Sequence, residues 1–108
     1  TYDKPLMFSE FGADALYGQR GAREERWSED YQAWLYEETL KVIERTPGCV
    51  GLAPWVLKDF RSPRRWHGRF QDMWNRKGLL SPEGRRKAAF FVLQDYYRRK
   101  EGAGDGPA

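Results

Sequence analysis

Residues 8–12 read Phe-Ser-Glu-Phe-Gly and set one carboxylate, Glu10, between two aromatic side chains and just before a glycine. Two chemistries fit an acid in that setting. It is either a strand-end carboxylate that stays solvated or pairs with an arginine, or a ligand-facing nucleophile or general base. A carboxylate nucleophile must stay ionised, so the second role needs hydrogen-bond donors or cations close by. A source of such groups lies between Arg61 and Lys87, where nine Lys or Arg residues stand against two acids, Asp72 and Glu83. Trp55 also has two readings, as a core residue or as a platform for a sugar ring, whose apolar C–H face suits an indole. Asn75 and Lys77 are two positions apart in Trp-Asn-Arg-Lys-Gly. In extended chain they project to the same side and can grip a carboxylate or hydroxyls together; the plainer reading is a solvated turn closing on Gly78. His67 has no partner at catalytic spacing and receives no role. The single cysteine, Cys49, forms no internal disulfide and sits in no metal-ligand spacing, so neither metal nor cofactor is expected.

The elements that must position these groups follow from periodicity and punctuation. Residues 4–12 read as a short strand: Pro5 marks the start, Leu6, Met7 and Phe8 form a continuous apolar run, and Gly12 permits a turn. A polar, glycine-broken loop follows over 13–26. Ser28 is placed to cap a helix with Glu29 and Asp30 in its first turn. Tyr31, Trp34, Leu35, Thr39, Val42 and Ile43 supply its apolar spacing, and Thr-Pro-Gly at 46–48 ends it. Residues 49–60 read as a second strand, with Gly51 and Pro54 awkward in a central position and suggestive of a bulge or irregular end. The basic loop from Arg61 to Gly78 is long for a connection, and Trp66, Phe70, Met73 and Trp74 argue that it is ordered. A last helix is expected over roughly 85–99, with Ala89, Val92, Leu93 and Tyr96 as its stripe, followed by a flexible tail at 101–108.

With 108 residues, 40% of them hydrophobic and 16% aromatic, the chain has the make-up of one small folded unit. Its net charge is +3, concentrated in the basic stretch. Such a bias suits an anionic partner: a nucleic acid, a phosphate or a carboxylated substrate. No apolar run is long enough to cross a bilayer. The order strand, helix, strand, helix predicts parallel βα units in an α/β fold. Two such units neither close a sheet nor cover both its faces, so the chain is expected to be part of a larger α/β structure or to pair with other chains. In a barrel of βα units, functional groups gather at the carboxyl ends of the strands and in the loops that follow. Glu10, Trp55 and the basic loop all fall there.

Four stretches in this order, KPLMFSEFGADAL (4–16), RWSEDYQAWL (26–35), GLAPWVLKDFRSPRR (51–65) and WNRKGLLSPEGRRKAAFFVLQDYY (74–97), resemble the region from the catalytic nucleophile onward in glycoside hydrolase family two. The resemblance implies an α/β fold made of the last two βα units of a (β/α)₈ TIM barrel, an incomplete barrel fragment over residues 1–100. It matches Glu10 to the nucleophile at the end of the seventh strand. Trp55 matches the tryptophan lining the sugar site, with a cis peptide expected at Trp55–Val56. Asn75 and Lys77 match an Asn-x-Lys motif that holds a substrate carboxylate in β-glucuronidases; similar segments occur in family members acting on neutral galactosides. Gln71 stands where some glucuronidases carry an Arg, with Arg69 as a substitute. Phe11 stands where many relatives have Tyr. The implied reaction is retaining hydrolysis by double displacement on a carbohydrate, a β-glucuronide or β-galactoside. The family's acid/base Glu follows an Asn, and here the only Asn, Asn75, is followed by Arg76. The isolated chain is therefore expected to be inactive. Neither nucleic acid nor membrane is an implied partner, and the parent enzyme can be a homo-oligomer. The sister activities of the family, β-galactosidase and β-mannosidase, and a non-catalytic basic binding module are the alternatives.

Overall fold

The computed structural model describes residues 6–62, 64–65 and 68–104. Trp66, His67 and the end of the expected tail, 105–108, lie outside the described residues. The elements run β1 (Leu6–Phe11), α1 (Glu29–Glu44), β2 (Cys49–Pro54), β3 (Phe60–Arg61), β4 (Trp74–Asn75) and α2 (Ala88–Gly104). β1 and β2 pair in parallel, from Leu6 opposite Cys49 to Phe11 opposite Pro54. β3 and β4 form a short antiparallel pair inside the basic loop, which is how that long connection is ordered.

The start of α1 is as its sequence requires. Ser28 is extended (φ −80°, ψ 151°) and its hydroxyl accepts from the Tyr31 N–H at 3.0 Å, while Glu29 and Asp30 occupy the first turn. Of the expected apolar stripe only Ile43 is fully part of the inward face. Glu29, Gln32, Tyr36, Leu40 and Ile43 are the buried residues of α1, whereas Val42 is 50% exposed. Tyr36, Leu40 and Ile43 meet Leu79 and the Ala89, Leu93 and Tyr96 stripe of α2 in one core, with Phe11 and Leu52 of the strands packed against it. Glu29 and Gln32 are turned inward because they satisfy backbone groups of loops. Glu29 accepts from the N–H of Gly18 and, at 2.6 Å, from that of Ala88. Gln32 donates to the carbonyls of Ala13 and Gly78.

Two boundaries differ from expectation. β2 stops at Pro54 rather than Phe60, since proline cannot donate to a ladder; the Trp55–Val56 peptide bond beyond it is cis, as expected. α2 begins at Ala88 rather than near Arg85. Residues 85–87 lie back along 79–81, with the Ser81 N–H bonded to the Arg85 carbonyl and the Lys87 N–H to the Leu79 carbonyl. Glu29 then supplies the acceptor for the first free N–H of α2, the favoured place for an acid. The helix continues to Gly104, past the expected end near Arg99. Met7 of β1 is 62% exposed, unlike a strand buried on both faces.

Two substitutions test this construction. Ser28→Ala removes the cap of a fully buried hydroxyl and is expected to lower stability by about 1–2 kcal/mol in urea unfolding of the chain. At Gly78 an added Cβ would stand 2.3 Å from the Asp59 backbone nitrogen. Gly78→Ala is therefore expected to lower stability by about 2 kcal/mol or more, and an unchanged midpoint would contradict the close approach of these two loops.

Candidate active site

The site begins with an irregularity in β1. The pairing slips between Ser9 and Phe11, so Glu10 is the extra residue of a bulge, and its φ of 54° lies in the left-handed region. Bulges re-aim side chains, and a non-glycine residue held at positive φ marks backbone strain of about 1–3 kcal/mol. The neighbouring strand end is fixed to it: the Trp55 N–H donates to the Phe11 carbonyl at 2.9 Å. Gly12 (φ 151°) permits this approach, because a Cβ there would stand 2.6 Å from the Trp55 carbonyl oxygen. The Trp55 ring meets Phe60 edge-on at 5.6 Å.

Lys77 enters from the basic loop, held by its own backbone. Its carbonyl accepts from the Val56 N–H at 3.2 Å, directly after Trp55. Its N–H donates to the Asn75 side-chain oxygen at 3.0 Å. Asn75 is 2% exposed and is turned back on the Lys77 backbone.

These elements enclose a cavity of about 280 Å³ lined by Glu10, Phe11, Gly12, Trp55 and Lys77. Three of the four residues singled out in the sequence therefore share one pocket; Asn75 stands behind Lys77 rather than on the wall. Among the described residues Glu10 is the one carboxylate on that wall. A second cavity, of about 220 Å³, shares Gly12 and Lys77 and adds Asp14, Arg26, Trp27 and Tyr31. Trp27 stacks flat on Phe70 at 5.3 Å, and the Arg69 guanidinium covers the other ring at 5.0 Å. Arg69 is thereby placed on an aromatic face. Two larger cavities lie around Glu44, Tyr96 and Lys100, one of them reaching Gly51 and Leu52 of β2, and neither is lined by Glu10, Trp55 or Lys77. Glu44 there accepts from the Tyr96 hydroxyl at 2.7 Å.

Much of the basic stretch is used inside the fold. Arg61 and Arg76 both lie over the Trp74 ring, Arg86 over Phe90 and Arg85 over Tyr17. Lys87 is fully buried and donates to the Asp59 carboxylate at 2.8 Å. Burial pushes the Asp59 carboxyl up and the Lys87 ammonium down from their ordinary values, while their mutual attraction pulls each back. The sequence reading missed Lys87, Glu29, Gln32, Asp14 and Arg26 as residues around the site. Their only sequence signal is a polar side chain at an inward helix position or beside an apolar run. Among the described residues no group of three or more His, Cys, Asp or Glu side chains is placed to hold a metal ion. No helix among them is long and apolar enough to cross a membrane.

Comparison with known proteins gives the same direction from sequence and from fold. No protein-family model matches the chain. It is 35% identical to the β-glucuronidase of Canis lupus familiaris over 102 residues, covering 90% of this chain and 15% of that protein. It is 33% identical to the mouse β-glucuronidase over 116 residues, 99% of this chain and 17% of that protein. The chain thus spans about one sixth of these relatives. Among solved structures, a family-two β-galacturonidase from Eisenbergiella tayi bound to galacturonate superposes with a TM-score of 0.78 at 35% identity, covering 89% of this chain and 17% of that one. The β-glucuronidase of Ruminococcus gnavus gives 0.77 at 28% identity, covering 88% and 16%. The kinship of the chain, in sequence and in fold, is with the β-glucuronidase-like proteins of glycoside hydrolase family two.

Proposed function

We propose that this chain forms the last two βα units of a TIM-barrel catalytic domain in a retaining β-glycosidase acting on β-uronides, β-glucuronides above all. The observation that carries the reading is the shared cavity: a carboxylate, an indole and an ammonium from three separate segments line one pocket of about 280 Å³. Glu10 attacks the anomeric carbon as the glycosidic bond breaks, giving a covalent glycosyl-enzyme. A second carboxylic acid protonates the leaving oxygen and then takes a proton from the water that releases the sugar. That second group comes from a part of the barrel outside these residues, since Glu10 is the one acid on the pocket wall among the described residues. Trp55 presents a face to the pyranose ring. Lys77 pairs with the uronate carboxylate in a charge-assisted hydrogen bond, and Asn75 holds the lysine's backbone. Two features support the incomplete barrel. The β1–β2 sheet has two strands, and Met7 is exposed although it lies in an apolar run.

In the full-length enzyme carrying this segment, Glu10→Gln is expected to lower hydrolysis of nitrophenyl β-glucuronide by on the order of 10⁴-fold or more with an unchanged circular dichroism spectrum. Retained turnover would sink the nucleophile assignment. Lys77→Ala is expected to reduce kcat/KM for the glucuronide by about ten- to a hundredfold, the worth of one hydrogen bond to a charged group. The same variant should leave the matching glucoside almost untouched. A wild-type enzyme that prefers the galactoside would replace the uronide reading with the sister activity.

A further inference from the structure

We propose that the buried Asp59–Lys87 pair is the positioning device for Lys77, fixing where its ammonium stands in the pocket and so setting the preference for a carboxylated sugar. The proposal rests on the reading of Lys77 as the partner of the uronate. Neither member of the pair lines the cavity that holds Glu10, yet their bonds converge on the peptide groups on either side of Lys77. The Lys87 ammonium donates to the Arg76 carbonyl, one residue before it, at 3.1 Å. The Asp59 carboxylate accepts from the Gly78 N–H, one residue after it, at 2.9 Å. The same ammonium donates to the Ala15 carbonyl at 2.6 Å, and the Ala15 N–H donates back to the Arg76 carbonyl at 2.9 Å. The loop that follows Glu10 and the segment that carries Lys77 are therefore tied to one buried group. Gln32 completes the clamp by donating to the Gly78 carbonyl at 3.0 Å.

A core needing only stability would fill this space with apolar side chains, because a buried ion pair contributes little net free energy. What the pair supplies is direction: two N–H bonds of the ammonium are aimed at backbone carbonyls, the third at the carboxylate, and Asp59 Oδ1 also takes the Gly78 N–H. Small displacements of a positioning group are enough to change rates greatly. Asp59 and Lys87 act through Lys77 and not on the substrate.

The test uses the full-length enzyme and two substrates that differ only at C6, nitrophenyl β-glucuronide and nitrophenyl β-glucoside. Lys87→Met is expected to lower kcat/KM for the glucuronide by about tenfold to a hundredfold, chiefly through KM, with a much smaller change for the glucoside. Adding Lys77→Ala to it should produce little further loss, because both changes remove the same contact. Should Lys87→Met fail to fold, the double variant Asp59→Leu/Lys87→Met removes both charges together and is held to the same expectation. Equal losses on the two substrates, or losses that multiply with that of Lys77→Ala, overturn the positioning role. So does failure of both variants to fold, which makes the pair a determinant of the whole fold. A wild-type background in which Lys77→Ala leaves the uronide preference unchanged overturns the uronide reading itself, and this inference with it.

Discussion

An ammonium group taken out of water must find an acceptor for each of its three N–H bonds, and the Lys87 ammonium finds all three. They are the Ala15 carbonyl, the Asp59 carboxylate and the Arg76 carbonyl. The acceptors come from the loop after β1, the segment after β2 and the stretch that carries Lys77. Asp59 in turn accepts from the Gly78 N–H and lies 3.6 Å from the Arg76 guanidinium. Desolvation works against both charges, so this arrangement persists only while every partner is in place. The outcome is a constraint on geometry: three segments far apart in sequence are tied to one buried group.

A second buried carboxylate does for the helices what Asp59 does for the loops. Glu29 stands in the first turn of α1, yet one of its oxygens accepts from the opening N–H of α2 and the other from the N–H of Gly18. A single acid thus serves the positive ends of two helix dipoles and closes the loop between β1 and α1. It also sets the end of the extended stretch 85–87 that delivers Lys87 to its pocket. The apolar core of Tyr36, Leu40, Ile43, Leu79, Ala89, Leu93 and Tyr96 packs the helices together. The polar contacts decide where the loops above that core stand.

This division explains what could be read from the sequence. Ser28 as a cap, the strand–helix order and the α2 stripe of Ala89, Leu93 and Tyr96 rest on local chemistry and helical spacing, and they stand in the structure. Glu10 and Trp55 were legible as strand-end residues, and Lys77 as a cation beside them. On α1 the apolar residues at helical spacing allow more than one stripe, and the buried one runs through Tyr36, Leu40 and Ile43; Glu29 and Gln32 point inward as well, to meet loop groups far away in sequence. The separation is 46 residues for Gln32 and Gly78, and 59 for Glu29 and Ala88. The start of α2 at Ala88 depends on the same distant Glu29, whereas the end of β2 at Pro54 is local, proline having no N–H to donate. Asn75 was read as a ligand-facing twin of Lys77 from their spacing of two. Extended geometry does not persist through 75–77, because the Asn75 side chain bonds the Lys77 N–H two residues on.

The basic stretch shows how composition and function come apart. Nine cations against two acids between Arg61 and Lys87 suggest a charged surface awaiting a polyanion. In the fold, Arg61 and Arg76 both lie over the Trp74 ring, Arg69 lies over Phe70, Arg86 lies over Phe90, and Lys87 is buried on Asp59. Planar guanidinium groups are suited to such stacking, since they are weakly hydrated and lie flat on an aromatic face. Lys77 is the cation that reaches the wall of the Glu10 cavity. Its ammonium is a single compact charge on a wall shared with Trp55, and its backbone is held by the Val56 N–H and the Asn75 side chain. The positions of these other cations are set by ring faces and by one buried carboxylate, so a count of charges along the chain does not describe the surface they make.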